Sequence, residues 1–508
     1  MRRRDFLRRV GAGAAGAIAS GLRLPTARAS WGAWPAASLP AALPLAARPK
    51  HVLEVFLYGG LCPWETFYVV PSFGAPDDPN PALRNTQWWT FQEGPASVAE
   101  VHEKCSPVTS TPLLVPFRQD SAGNLVHLGP FTEPLRSRAD IVDRLRLHVV
   151  THSLEPHEAA IPLAMSGFRL GQPKLAGVGA SIQHHDQAAG LFGEPSSYVL
   201  YAPGDFPTDN LRAASAVGLH PASSRPLAIN VSAGTAFIDA LGRKKVGAKR
   251  AEFDALIDHY TALHRARLTP PSLPPVRSRT LSDWQFTLDT LQTTDTLIDI
   301  LEPGLFVPIG DQACSQAASP SYPRMGLRLA AHLLTRPGSQ ARYVCVVDGG
   351  LIPASGGGGY DTHNAHIADS ARNLRNVFTN LCAVINEPGE GDPAKLNLDD
   401  TLVVLNTEFG RTPWAQNGDG RNHHPYAYVT AMFGGPVGAA QQGIVGAIGP
   451  DGYATSALAP AETRAAILTA LGVFPFAPEC YAVSDVGGAV TELDAALWLR
   501  DVVLGVTS

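Results

Sequence analysis

Four short segments of the 508-residue chain carry the side chains best suited to chemistry. In Tyr360-Asp361-Thr362-His363, a carboxylate and an imidazole two residues apart can both turn toward one cation. Borderline metals accept such a mixed O/N set. Asp361 or Thr362 could equally cap the helix expected to begin nearby. In Thr407-Glu408-Phe409-Gly410-Arg411-Thr412-Pro413, Glu408 can ligate a cation, and Arg411 offers a planar fork for phosphate or sulfate. An internal Glu–Arg ion pair competes with that reading. Gly418-Asp419-Gly420-Arg421-Asn422-His423-His424-Pro425 adds adjacent histidines that project differently, so at most one enters a shared site. In Gly59-Gly60-Leu61-Cys62-Pro63-Trp64-Glu65-Thr66-Phe67 the glycines permit a sharp turn that presents Glu65 and Thr66; a turn with a solvated Glu is the plain alternative. His152 and His157 stand in a fifth segment and are placed to line the same pocket, His157 as a catalytic candidate.

Each segment lies next to an element able to hold it. Apolar runs without alternation occur at 51–58, 147–151, 197–201, 341–348, 401–406 and 428–433, as expected of strands buried on both faces. Helical spacing occurs at 249–268, 281–301, 325–334, 365–385 and 461–471, and a helix from Ala159 ends at Gly167. Strands alternating with helices predict an α/β fold, a doubly wound and mostly parallel sheet flanked by helices. In such sheets ligands bind beyond the carboxyl ends of the strands, where these segments fall. The stretch of about 205–335 reads as a helical insertion in a single domain spanning 51–508, and 30–50, rich in Pro and Ala, as a linker or extended arm.

Composition narrows the function classes. Apolar residues make up 45% and charged residues 17%, too apolar a balance for a disordered chain. No apolar stretch reaches the roughly 20 residues of a membrane span. A net charge of −5 argues against a nucleic-acid binder. The six cysteines, Cys62, Cys105, Cys314, Cys345, Cys382 and Cys480, form no metal-binding cluster. There is no dinucleotide fingerprint in the glycine run 356–359, which leaves a redox enzyme disfavoured.

The first 29 residues read as an address. Arg2, Arg3, Arg4, Arg8 and Arg9 precede a weakly apolar run and Ala27-Arg28-Ala29, the layout of a cleaved signal peptide. The core RRRDFLRR looks like a twin-arginine export signal, read by a receptor rather than acting as an anchor. The expectation is a periplasmic or secreted bacterial protein, with the twin-arginine machinery as an export partner. Loss of 1–29 removes seven Arg and one Asp and takes the net charge from −5 to −11.

Taken in order, FLYGG…ETF, SLEPHEAAIPLAMSGF, GGYDTH, TLVVLNTEFGRTPWAQNGDGRNHHP and TRAAILTALGV resemble the bacterial exported family named domain of unknown function 1501. That family is similar to the alkaline phosphatase and sulfatase superfamily. The resemblance implies an alkaline phosphatase-like sheet with metal ligands at strand ends. It implies Asp361, His363 and His423 as ligands of one divalent metal (zinc, manganese, calcium or magnesium), with Glu408 and Glu65 at a neighbouring one. It implies a hydroxyl nucleophile, for which Thr66 is the nearest candidate, with Arg411 orienting the oxyanion. Glu65 and Asn422 stand where the family commonly has Asp, and the sulfatase-type Cys-x-Pro-x-Arg sequence is absent. The expected function is a metal-dependent hydrolase of small phosphate or sulfate esters in the cell envelope. The alternative is a non-catalytic envelope protein whose cleft binds a polymer or protein partner.

Overall fold

A computed structural model describes residues 30–78, 81, 84, 114–169, 177–191, 196–203, 226–231, 249–268, 297, 299–306, 322–351, 359–416 and 420–507. The export-signal segment 1–29, most of the helix expected at 281–301, Cys105, Cys314 and the glycines at 356–358 lie outside the described residues.

Eight strands form the central sheet: β1 (His51–Leu57), β2 (Arg146–Val150), β3 (Tyr198–Pro203), β4 (Leu227–Val231), β5 (Tyr343–Asp348), β6 (Thr401–Asn406), β9 (Tyr428–Phe433) and β10 (Gly443–Val445). The two-residue strands β7 (Gly410–Arg411) and β8 (His423–His424) pair in a separate ribbon. The sheet order is β10-β2-β9-β6-β1-β5-β3-β4. All neighbours are parallel except β9, which runs antiparallel to both β6 and β2. The sheet is therefore mixed but mostly parallel. Its uninterrupted apolar runs follow from burial on both faces: β3, β5, β6 and β9 are buried at every position.

Two core clusters cover those faces. Leu53, Val55 and Leu57 of β1 pack with α4 (Tyr322–Thr335) and α5 (His366–Ala383). Val52 and Phe56 face α1 (His157–Ser166), α2 (Val178–Ala188) and α6 (Pro460–Ala470). Within that second face Glu54 is wholly buried, held by Arg464 at 2.7 Å to each oxygen, by Tyr343 and by Asn406. The segment expected as a helical insertion contains β4, an edge strand of the main sheet, and α4, which packs directly on it. A second helix there, α3 (Arg250–Leu268), keeps within one residue of the bounds its spacing suggests. Residues 30–50 form an arm that packs on the body: Trp34 Nε1 donates to the Gly472 carbonyl and Arg500 to that of Pro40. Among the described residues, no helix is long and apolar enough to cross a membrane.

Because β1, β2, β5 and β6 run the same way, the segments that leave them emerge on one edge. The antiparallel β9 enters from that edge, so 420–424 arrives beside them.

Candidate metal centre

Close backbone approach sets the frame. Gly59 and Gly60 follow β1 with φ of 108° and 105°, open to glycine but strained for other residues. A Cβ on Gly59 would collide with the Asp361 amide, and one on Gly420 with the His363 carbonyl. The loops after β1 and β5 and before β8 thus press together as main chain.

Asp361 is the hub. Its Oδ1 lies 3.0 Å from His363 Nε2, 3.2 Å from His423 Nε2, 3.4 Å from His157 Nε2 and 2.5 Å from Arg411 Nη2. The His363 and His423 Nε2 atoms are 3.1 Å apart. Outer partners fix two of the rings. His157 Nδ1 donates to Glu408 Oε1 at 2.9 Å, and the Gly59 amide donates to the same oxygen at 2.7 Å. His363 Nδ1 faces Gln416 Oε1 at 2.9 Å. Phe409 stacks on His423 with centroids 4.5 Å apart. Such outer hydrogen bonds orient metal-binding imidazoles and leave Nε2 directed inward.

The charge count shows what the cluster lacks. Arg411 balances Asp361, and Glu408 remains. With neutral imidazoles the group is one positive charge short, while three Nε2 atoms crowd one carboxylate oxygen. The buried His157 Nε2 has no hydrogen-bond partner. Burial opposes ionisation of Asp361, yet His157, His423 and Arg411 outweigh it and hold the carboxyl well below its usual range. Burial also opposes protonation of His157, but Asp361 and Glu408 prevail and raise it to about 9. Burial lowers His423. Either a proton on His157 or a cation among the Nε2 atoms closes the deficit. The donor set of His157, Asp361 and His423, whose ligand atoms lie within 4.8 Å of one another, could hold a metal ion, with His363 beside it.

A second group lies deeper. Glu65 is wholly buried between Arg421, at 2.5 Å, and His366 Nε2, at 3.3 Å. Burial opposes ionisation of Glu65, but Arg421 and His366 pull it down to about 2. Burial and the Glu65 charge push the Cys62 thiol up, so it stays protonated. His366 Nδ1 takes the Thr362 hydroxyl at 2.5 Å. Cys62, Glu65 and His366 also meet the spacing of a metal site, but Arg421 already supplies the cation that Glu65 requires.

The structure thus gathers Asp361, His363, His423, His157, Glu408 and Arg411. Glu65 stands in the deeper group and shares no partner with Glu408. Thr66 is wholly buried, and its hydroxyl donates to the Cys62 carbonyl at 2.6 Å. Arg411 is not an open fork: it is buried, and its Nη atoms donate to Asp361, the Gly59 carbonyl and the Arg421 carbonyl. His152 holds the Glu408 carbonyl and acts on the backbone. Asn422 accepts the His423 amide, so it braces the chain and not the ring. Sequence reasoning gave no role to His366, Gln416 or Arg421. The spacing of Thr362 and His366, four residues apart at the entry to α5, was the available signal for the first.

Residues 314–476 match a family model described as a protein of unknown function, DUF1501. This stretch, roughly a third of the chain, contains Asp361, His363, Glu408, Arg411 and His423; His157 and Glu65 precede it. No curated protein matches the chain.

Proposed function

We propose that this chain is an exported, metal-dependent hydrolase of phosphate or sulfate esters in the cell envelope. One observation carries the reading: three imidazole Nε2 atoms converge on Asp361 Oδ1 in a cluster that is one positive charge short when its imidazoles are neutral, and the buried His157 Nε2 makes no hydrogen bond. His157, His363, His423 and Asp361 would hold the cation. An N₃O donor set favours zinc or another borderline metal over calcium or magnesium, which prefer oxygen ligands. A bound cation of that kind supplies Lewis acidity, which acidifies water and polarises an ester oxygen. Glu408 and Gln416 hold the Nδ1 protons of His157 and His363, Arg411 keeps Asp361 ionised, and Phe409 shields one face of His423. With the Thr66 hydroxyl committed to the Cys62 carbonyl, water is the nucleophile this reading requires. The alkaline phosphatase-like reading belongs to the same proposal, supported by ligands at the carboxyl ends of parallel strands. Export by the twin-arginine route is supported by RRRDFLRR alone.

The test is metal analysis of the purified mature protein, together with turnover of an aryl phosphate and an aryl sulfate. Stoichiometric zinc, lost along with turnover in the Asp361→Ala, His423→Ala double variant, is expected. Protein that binds none of zinc, manganese, calcium or magnesium overturns the reading. The non-catalytic alternative is favoured by the engagement of both Thr66 and Arg411. It expects the metal and tight binding of an envelope polymer or protein partner without turnover.

A further inference from the structure

A groove of about 780 Å³ lies at the far end of the sheet from the Asp361 cluster. It is bordered by α4, the end of α5 and the loop before β6, elements that lead into the amino ends of β5 and β6. Its size suits a small ligand. Leu305, Ala331 and Val384 supply an apolar floor. Over it stands a row of bases spaced four residues apart and so on one face, Arg328 and His332 on α4 and Arg336 just past its end, where its amide still bonds the His332 carbonyl. Lys395 faces them from the loop, and Glu302 is the one acid among the described lining residues.

This local excess of positive charge stands in a chain of net charge −5. Two of the bases are already paired, but loosely. Arg336 meets Glu302 at 2.5 Å and Lys395 meets Glu390 at 2.6 Å, with side chains about 30–57% exposed. Pairs so exposed contribute at most about 1 kcal/mol and exchange readily. His332 Nε2 bonds the Ile300 carbonyl at 2.8 Å. Arg328 has no ion-pair partner among the described residues.

We propose that this groove binds a small amphipathic anion, a carboxylate carried on a short apolar body. The carboxylate takes the fork of Arg328, with Arg336 and Lys395 close by, and the apolar body covers Leu305, Ala331 and Val384. A bare inorganic anion leaves that floor wet, and a neutral amphiphile leaves Arg328 unanswered. The inference is independent of the metal reading.

Isothermal titration of the mature chain with octanoate, octanol and acetate tests it. Octanoate is expected to bind at least tenfold more tightly than either control. Arg328→Gln should remove most of that preference while leaving octanol unchanged. Ala394→Trp, at an exposed lining position, should block octanoate without loss of folded structure by circular dichroism. Octanol binding as tightly as octanoate, no octanoate binding by the unmodified chain, or full binding by Ala394→Trp each overturns the proposal.

Discussion

Two neighbouring groups of ionisable side chains differ in what they contain. Around Glu65, one carboxylate meets one guanidinium, a lowered imidazole and a protonated thiol, so the charges close internally. Around Asp361, a second carboxylate, Glu408, leaves the balance open. Thr362 joins them: its hydroxyl faces His366, while its neighbours Asp361 and His363 belong to the other group. A closed network acts as framework, and an open one beside it can accept something from outside. Burial agrees with this division. The Glu65 and His366 side chains are 0–1% exposed, whereas His157, His363 and His423 are 15–28% exposed.

The largest effect that can break this comparison comes from the deeper group. Arg421→Met strands the buried Glu65 charge and should cost about 3–5 kcal/mol in urea unfolding, with no rescue by metal. A variant of near-native stability would show that Glu65 does not depend on Arg421.

The two groups should next separate by pH, in opposite directions. Glu65 has a folded value of about 2 against its ordinary 4.5, so its contribution is full above about 4.5 and fades as the pH falls toward 2. His157 is raised from 6.5 to about 9, so in EDTA-treated protein its contribution is full below 6.5 and fades as the pH rises through 9. Stability profiles of Glu65→Gln and Glu408→Gln should flatten the acid and alkaline limbs respectively. Unchanged limbs would remove the electrostatic distinction.

Added cation gives a third separation. Zinc at a hundred times its dissociation constant should add about 2.7 kcal/mol to the folded state, seen as a higher Tm. Asp361→Ala should abolish that gain and Cys62→Ala should keep it. The reverse pattern would move the metal to the deeper group.

The smallest effect concerns Thr66. Thr66→Val loses one buried hydrogen bond, about 0.5–1.5 kcal/mol, and should leave ester turnover unchanged. Loss of turnover with retained stability would restore Thr66 as the nucleophile.

The central strands were legible because burial on both faces writes an unbroken apolar run, as at 401–406 and 428–433, where expected and observed bounds coincide. The edge strand β4 was not, for its Leu227–Val231 run is short and lies within a stretch that read as helical. Polar residues 183–186 likewise hid α2. Asp361, His363 and His423 were legible from residue type and position at strand ends. The role of Glu65 was not, because its partner Arg421 lies 356 residues away and no local pattern links them. Arg411 and Thr66 looked available because sequence shows the donor but not the main-chain acceptor that claims it.

The antiparallel strand β9 carries a further consequence. It pairs directly with β6, so everything between Asn406 and Tyr428 is a single hairpin excursion with both ends anchored in the sheet. Glu408, Arg411, Gln416, Arg421 and His423 all ride on it. One excursion therefore sets Glu408, Arg411, Gln416 and His423 around Asp361 and also Arg421 against the buried Glu65, so a change in this one loop reaches both groups while β6 and β9 stay paired.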